Sequence, residues 1–261
     1  MPKIQSNGIN LYYEIHGEGQ PLLFIHGLGS STRDWEFQVQ EFSKSYKVIT
    51  FDLRGHGQSD KPAGPYKMSM FAADTVGLLK ALGIENPHIV GLSLGGGVAY
   101  QLAVDASLPI RSLTIVNSTP ELLVRTFKDR MMVWQRIAIV KLLGMKKMGE
   151  MLSKRLFIKP EQEDIRQIFV TRWAENNQRA YLDAMRALVG WSVTAHIGSI
   201  RCPTLIIAAD QDYSPVSAKE AYTAQIQGAR LVVISDSRHA TPVERPQEFN
   251  QALMKFLDER E

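Results

Sequence analysis

The fold is decided by residues 88–100, His88-Ile89-Val90-Gly91-Leu92-Ser93-Leu94-Gly95-Gly96-Gly97-Val98-Ala99-Tyr100. An apolar run leads into a G-x-S-x-G pentapeptide, Gly91 to Gly95, and a helix-like segment follows. In this strand–turn–helix setting the serine sits on a sharp turn and its hydroxyl projects above a sheet. Glycines two before and two after Ser93 let strand and helix cross where side chains would collide. The start of the helix also favours negative charge developing beside Ser93. The alternative is a glycine-rich turn with an incidental serine, so the rest of the chain has to decide.

Outward from the pentapeptide, apolar runs recur. Leu22-Leu23-Phe24-Ile25 precedes His26, Val48-Ile49-Thr50-Phe51 precedes Asp52, and Leu113-Thr114-Ile115-Val116 precedes Asn117. Leu205-Ile206-Ile207-Ala208 and Leu231-Val232-Val233-Ile234 complete the set. Unbroken runs of this length suit strands buried on both faces. Residues 3–15 alternate loosely around Asn7-Gly8, which predicts a hairpin of two edge strands. Helical periodicity covers 33–44, 69–82, 94–106, 217–227 and 246–259. Strands alternating with helices predict an α/β fold, a mostly parallel eight-stranded sheet with helices on both faces.

One connection is long. Residues 120–198 carry no strand signal and are helical in pattern, rich in Met, Trp, Leu and Arg. They hold 14 Lys+Arg against 8 Asp+Glu, while the remainder of the chain holds 16 against 19. The expected organisation is a core formed by 1–119 and 199–261, with 120–198 as a helical cap. The excess of positive charge in the cap suits an acidic substrate, or only a solvated helical face.

A serine nucleophile needs a base, and the base needs a group to orient it. His239 follows the last strand, in a loop on the sheet edge where Ser93 emerges, the edge where open α/β sheets form their sites. The acid is expected after the run ending at Ala208, where Asp210 and Asp212 both stand. Asp212 lies further into the loop and is preferred; Asp210 is close enough to the strand end to be a turn residue. Asn117, Ser118 and Thr119 offer no acid at the other suitable strand end. The order Ser93, Asp212, His239 is one of the known orders of such a triad. One oxyanion donor is expected to be the backbone N–H of Leu94. The second should come from His26-Gly27-Leu28-Gly29, and each such donor can contribute about 3 kcal/mol to the transition state. His26 itself reads as a structural histidine.

Bulk properties narrow the classes further. The chain has 261 residues, 44% hydrophobic and 22% charged, enough for a substantial core. A net charge of +3 is too diffuse for a nucleic-acid partner. The single cysteine, Cys202, precludes an intrachain disulfide and suggests a reducing compartment. MPKIQSNGIN has no signal-peptide pattern, and no apolar stretch approaches the ~20 residues that span a bilayer. A cytoplasmic protein with no membrane partner is the expectation. No cofactor or metal is expected either: the histidines are scattered, and Gly27-Leu28-Gly29 with Thr32 is only a fragment of a dinucleotide fingerprint.

HGLGSS at 26–31, FDLRGHGQSD at 51–60, GLSLGG at 91–96, PTLIIAADQD at 203–212 and DSRHATPVERP at 236–246 together resemble the α/β-hydrolase superfamily over essentially the whole chain. The resemblance implies Leu28 as the other oxyanion donor, Asp212 as the acid and 120–198 as the cap. It also implies that Asp52 and Arg54 hold loops together. One departure is Ala209, which stands where that family usually has glycine before the acid.

Haloalkane dehalogenases and epoxide hydrolases resemble this chain too, but they carry Asp in place of Ser93. The expected function is therefore cleavage of a small-molecule carboxylic ester or lactone through an acyl-serine. GLSLGG and DLRGHGQSD look like small carboxylesterases and 3-oxoadipate enol-lactonases. Carbon–carbon bond hydrolases of aromatic degradation usually have Asn where Leu92 stands and fit less well. A cofactor-free haloperoxidase or perhydrolase, an acyltransferase and a non-catalytic ligand-binding protein complete the alternatives.

Overall fold

The computed structural model describes residues 2–259. Its eight strands are β1 (Lys3–Ser6), β2 (Ile9–His16), β3 (Gln20–Ile25), β4 (Tyr46–Phe51), β5 (His88–Leu92), β6 (Ser112–Val116), β7 (Thr204–Ala209) and β8 (Arg230–Ile234). They form one sheet in the order β1-β2-β4-β3-β5-β6-β7-β8. β1 and β2 pair antiparallel across the Asn7-Gly8 turn, both residues at positive φ, and β2 meets β4 antiparallel. Every later pairing is parallel. The chain leaves β3 for β4 on one side and returns to β5 on the other. The strand order thus reverses between β3 and β5, and a crevice opens at their carboxyl ends.

The helices are α1 (Glu36–Phe42), α2 (Met68–Ala81), α3 (Leu94–Asp105), α4 (Phe127–Leu156), α5 (Glu163–Ala174), α6 (Gln178–Leu188), α7 (Val216–Thr223), α8 (Thr241–Glu244) and α9 (Pro246–Asp258). Alternate strand residues serve opposite faces of the sheet. Leu22, Phe24, Val48, Val90, Leu205 and Ile207 pack with Phe42 of α1 and with Phe249, Leu253 and Phe256 of α9. Leu23, Ile25, Ile49, Ile89, Leu113 and Ile206 pack with Phe71 and Leu78 of α2 and with Val98 and Leu102 of α3. Each such buried side chain contributes roughly 1.5–3 kcal/mol. The run at 231–234 departs from its expected burial, because β8 ends the sheet: Val233 is exposed and Leu231 and Val232 are half-buried.

Residues 120–198 lie between β6 and β7 and carry α4, α5 and α6. Their two ends are clasped by backbone hydrogen bonds: Gly190 N–H to Leu122 O, Leu122 N–H to Trp191 O and Val193 N–H to Pro120 O. Inside, Val140, Met145, Met148, Trp173, Tyr181 and Met185 form a hydrophobic cluster of their own that touches Leu28. α4 breaks at Gly144, which sits at φ +80°. No helix among the described residues is long and apolar enough to cross a membrane.

Candidate active site

Ser93 stands between β5 and α3 in a backbone conformation that L-residues seldom adopt, φ +54° and ψ −113°. Holding a residue there costs about 1–3 kcal/mol, which the surrounding structure must offset. Its N–H donates to Val116 O at 3.0 Å, and its carbonyl accepts from Gly97 N–H at 3.0 Å and Ser118 Oγ at 2.7 Å. The flanking glycines are required by space. A Cβ on Gly91 would lie 2.3 Å from Gly95 O, and one on Gly95 would lie 2.1 Å from Ile25 O.

His239 comes from the loop between β8 and α8. Its Nε2 is 2.9 Å from Ser93 Oγ and its Nδ1 is 2.6 Å from Asp212 Oδ1. An ionised carboxylate only accepts, so Nδ1 carries the ring proton and Nε2 is free to accept from the Ser93 hydroxyl. The Asp212 side chain is fully buried. Burial opposes its charge, yet the hydrogen bonds and positive charges of His239 and Lys219 bring its pKa down to about 2. Asp210 serves the backbone instead. It accepts the N–H groups of Asp236 and Ser237, each at 3.0 Å, and so shapes the turn that leads to His239. Of the two candidate acids, the structure brings Asp212 to the histidine.

Four neighbours carried no signal in the sequence. Lys219, on α7, is wholly buried, and its Nζ donates to Asp212 Oδ2 at 2.7 Å and to Ser214 O and Oγ at 2.8 and 2.9 Å. Asn117 ties three loops together. Its Nδ2 reaches Arg238 O, His239 O and Thr241 Oγ1 at 3.2, 3.0 and 2.7 Å, and its Oδ1 accepts from Ala209 N–H at 2.8 Å. Ser118 holds the Ser93 carbonyl. The ring of Tyr213 lies 4.4 Å from that of His239.

Leu28 and Leu94 both line the cavity that opens onto Ser93, and among the described residues neither N–H enters a turn or loop hydrogen bond. The loop bearing Leu28 is braced from below. His26 donates from Nδ1 to Gly27 O at 2.7 Å and accepts at Nε2 from Leu53 N–H at 3.0 Å. Burial lowers its pKa to about 4, so it stays neutral, as this pattern requires. Asp52 accepts the N–H groups of Thr32 and Gln58 at 2.8 and 2.6 Å, and Arg54 forms a buried ion pair with Asp74. These are the loop-holding contacts expected of Asp52 and Arg54.

The cavity measures about 1050 Å³. Its floor holds Ser93, His239, Leu28 and Leu94. Its walls include Leu123, Phe157, Phe169, Trp173 and Trp191 from residues 120–198. The wall touches the floor at Gly29, whose carbonyl accepts from Asn176 Nδ2 at 2.8 Å. The arrangement combines a hydroxyl, an imidazole, a buried carboxylate and the backbone amides of Leu28 and Leu94 beneath a largely apolar chamber, which is the equipment for acyl transfer.

The chain belongs to the alpha/beta hydrolase fold family, which its residues 20–246 match. Its relatives act on different bonds. It is 30% identical to RutD of Azorhizobium caulinodans, assigned as a carbamate hydrolase, over 99% of both chains. It is 29% identical to 3-oxoadipate enol-lactonase 1 of Acinetobacter baylyi, over 96% of this chain and 94% of the relative. An esterase from Exiguobacterium antarcticum superposes with a TM-score of 0.91 at 25% identity, over 98% of each chain.

Proposed function

We propose that this protein is a serine hydrolase that cleaves a small-molecule carboxylic ester or lactone through an acyl-Ser93 intermediate. The unbroken hydrogen-bonded line Ser93–His239–Asp212 carries this reading. The Ser93 hydroxyl adds to the substrate carbonyl carbon while His239 Nε2 takes its proton. The Leu28 and Leu94 N–H groups hold the oxyanion that forms. His239 returns the proton to the leaving alcohol oxygen as the carbon–oxygen bond breaks. A water molecule, deprotonated by the same nitrogen, then adds to the acyl carbon, and His239 returns the proton to Ser93 Oγ as the carbon–Oγ bond breaks and the acid leaves. Asp212 fixes the tautomer and stabilises the imidazolium that each half-reaction creates. Residues 120–198 act as the cap, closing the chamber and selecting the substrate, and 1–119 with 199–261 form the catalytic core. The likeness to an esterase and to an enol-lactonase supports both ester and lactone as bonds to test.

The test is turnover of p-nitrophenyl esters of graded length, beside a set of lactones, by the natural protein, Ser93→Ala and His239→Ala. Ser93→Ala is expected to lower kcat/KM by at least about 10⁴-fold on every substrate, with His239→Ala nearly as severe, since the two act as a unit. Near-natural activity in Ser93→Ala would overturn the reading.

A further inference from the structure

Four arginines and seven carboxylates line the cavity above Ser93, and no lysine does among the described residues. Three are neutralised: Arg33 pairs with Glu175, Arg125 with Glu121 and Arg172 with Glu36. Arg136, on α4, differs. Its Nε donates to Tyr181 Oη at 2.6 Å, and among the described residues its Nη groups meet no carboxylate. Each of the lining carboxylates already has a partner: Glu121 and Glu175 pair with Arg125 and Arg33, Asp212 pairs with His239 and Lys219, and Glu14, Asp34, Asp52 and Asp129 accept from Tyr12, from Ser30, from the Thr32 and Gln58 amides and from Thr126.

Arg136 is held in place. Tyr181 is buried, and its ring packs against Trp173 with centroids 5.5 Å apart. The same ring sits so close to Gly29 that a Cβ there would lie 3.1 Å away. Gly29 follows Leu28, so the phenol that anchors Arg136 stands directly on the oxyanion loop. Arg136 is also close enough to act on Tyr213, the ring that lies against His239. Desolvation raises the pKa of that phenol, and the charge of Arg136 opposes the rise. A guanidinium that lines the same cavity as Ser93, fixed through Nε and the Tyr181 ring with its Nη groups meeting no carboxylate among the described residues, matches a carboxylate in shape and charge. One free cation balances one negative charge, which favours a carboxylate over a phosphate dianion.

We infer that Arg136 anchors a carboxylate of the substrate, so that the ester or lactone attacked by Ser93 carries a second, ionised acid group, as a half-ester of a dicarboxylic acid does. This inference rests on the serine-hydrolase reading.

The experiment compares p-nitrophenyl half-esters of glutaric and adipic acid with p-nitrophenyl esters of uncharged acids of matched length. The enzymes are the natural protein, Arg136→Met and Arg136→Lys. Arg136→Met is expected to lose about 10- to 100-fold in kcat/KM on the half-esters, mainly through KM, and to stay within about 3-fold on the neutral esters. Arg136→Lys should recover part of the loss, because it restores the charge without the fork. An equal loss on both substrate classes, or none on the half-esters, overturns the inference. A second measurement is independent of turnover: glutarate should raise the melting temperature of Ser93→Ala but not of Ser93→Ala/Arg136→Met. An equal rise in both also overturns it, whereas activity that survives Ser93→Ala overturns the catalytic reading instead.

Discussion

Replacing Lys219 by methionine would leave Asp212 buried with one charged partner fewer. The two side chains are both without solvent exposure and 2.7 Å apart, and the lysine also satisfies Ser214 O and Oγ. Removing one member of such a pair costs about 3–5 kcal/mol, because the remaining charge cannot be rehydrated. In a domain of this size that lowers the melting temperature by roughly 10 °C. The cost must also depend on pH. In the native protein the Asp212 carboxyl titrates at about 2 instead of its ordinary 3.8. Its folded value lies below its unfolded value, so it contributes roughly 2 kcal/mol above pH 4, lost as pH falls towards 2. Without Lys219, burial pushes the carboxyl upward and protonation relieves the unpaired charge. The gap between natural and Lys219→Met proteins should therefore be widest near pH 8 and shrink towards pH 4. Urea-unfolding midpoints at pH 8, 6 and 4 measure it. A gap below about 1 kcal/mol, or one that stays constant with pH, would refute the argument.

Three other outcomes are expected. Gly95→Ala places a methyl group 2.1 Å from the Ile25 carbonyl oxygen and should cost more than about 3 kcal/mol, read by thermal melting. Asn117→Ala removes the three hydrogen bonds that hold the loop bearing His239, so kcat/KM should fall about 10- to 100-fold on every substrate alike; an unchanged rate would show that the loop is held by other means. Burial lowers the pKa of both His26 and His56, to about 4 and about 3. Both folded values lie below the ordinary 6.5, so the unfolded chain takes up protons first, and unfolding midpoints should fall steadily from pH 7 towards pH 4; a flat profile would contradict this.

The sharp turn at Ser93 and the alternation of strands and helices were legible because each is a local constraint. Glycine spacing around Ser93 reports a backbone crossing, and apolar runs such as 22–25 report burial on both faces. His239 was legible from its place after the last strand. The choice between Asp210 and Asp212 was not settled in sequence, since two residues apart in a loop differ only in where the backbone turns them. The structure separates them through the Asp236 and Ser237 amides. Lys219 gave no signal at all: a lysine on a short helix normally faces water, and only the buried Asp212 makes its burial tolerable. Asn117 read as an empty acid slot, whereas it is the tie between β6, β7 and the histidine loop. The break at Gly144 and the seating of Trp173 on Gly29 depend on packing between residues far apart in the chain, which periodicity does not carry.

The central claim is that Ser93 becomes acylated. It is tested most directly by mixing the protein with p-nitrophenyl acetate, quenching in acid within the first turnover and mapping the acetylated peptide by mass spectrometry. The account predicts one acetyl group on Ser93, a matching burst of p-nitrophenol, and neither in Ser93→Ala. Turnover with no acetyl on Ser93, or an acetyl that persists in Ser93→Ala, would contradict it.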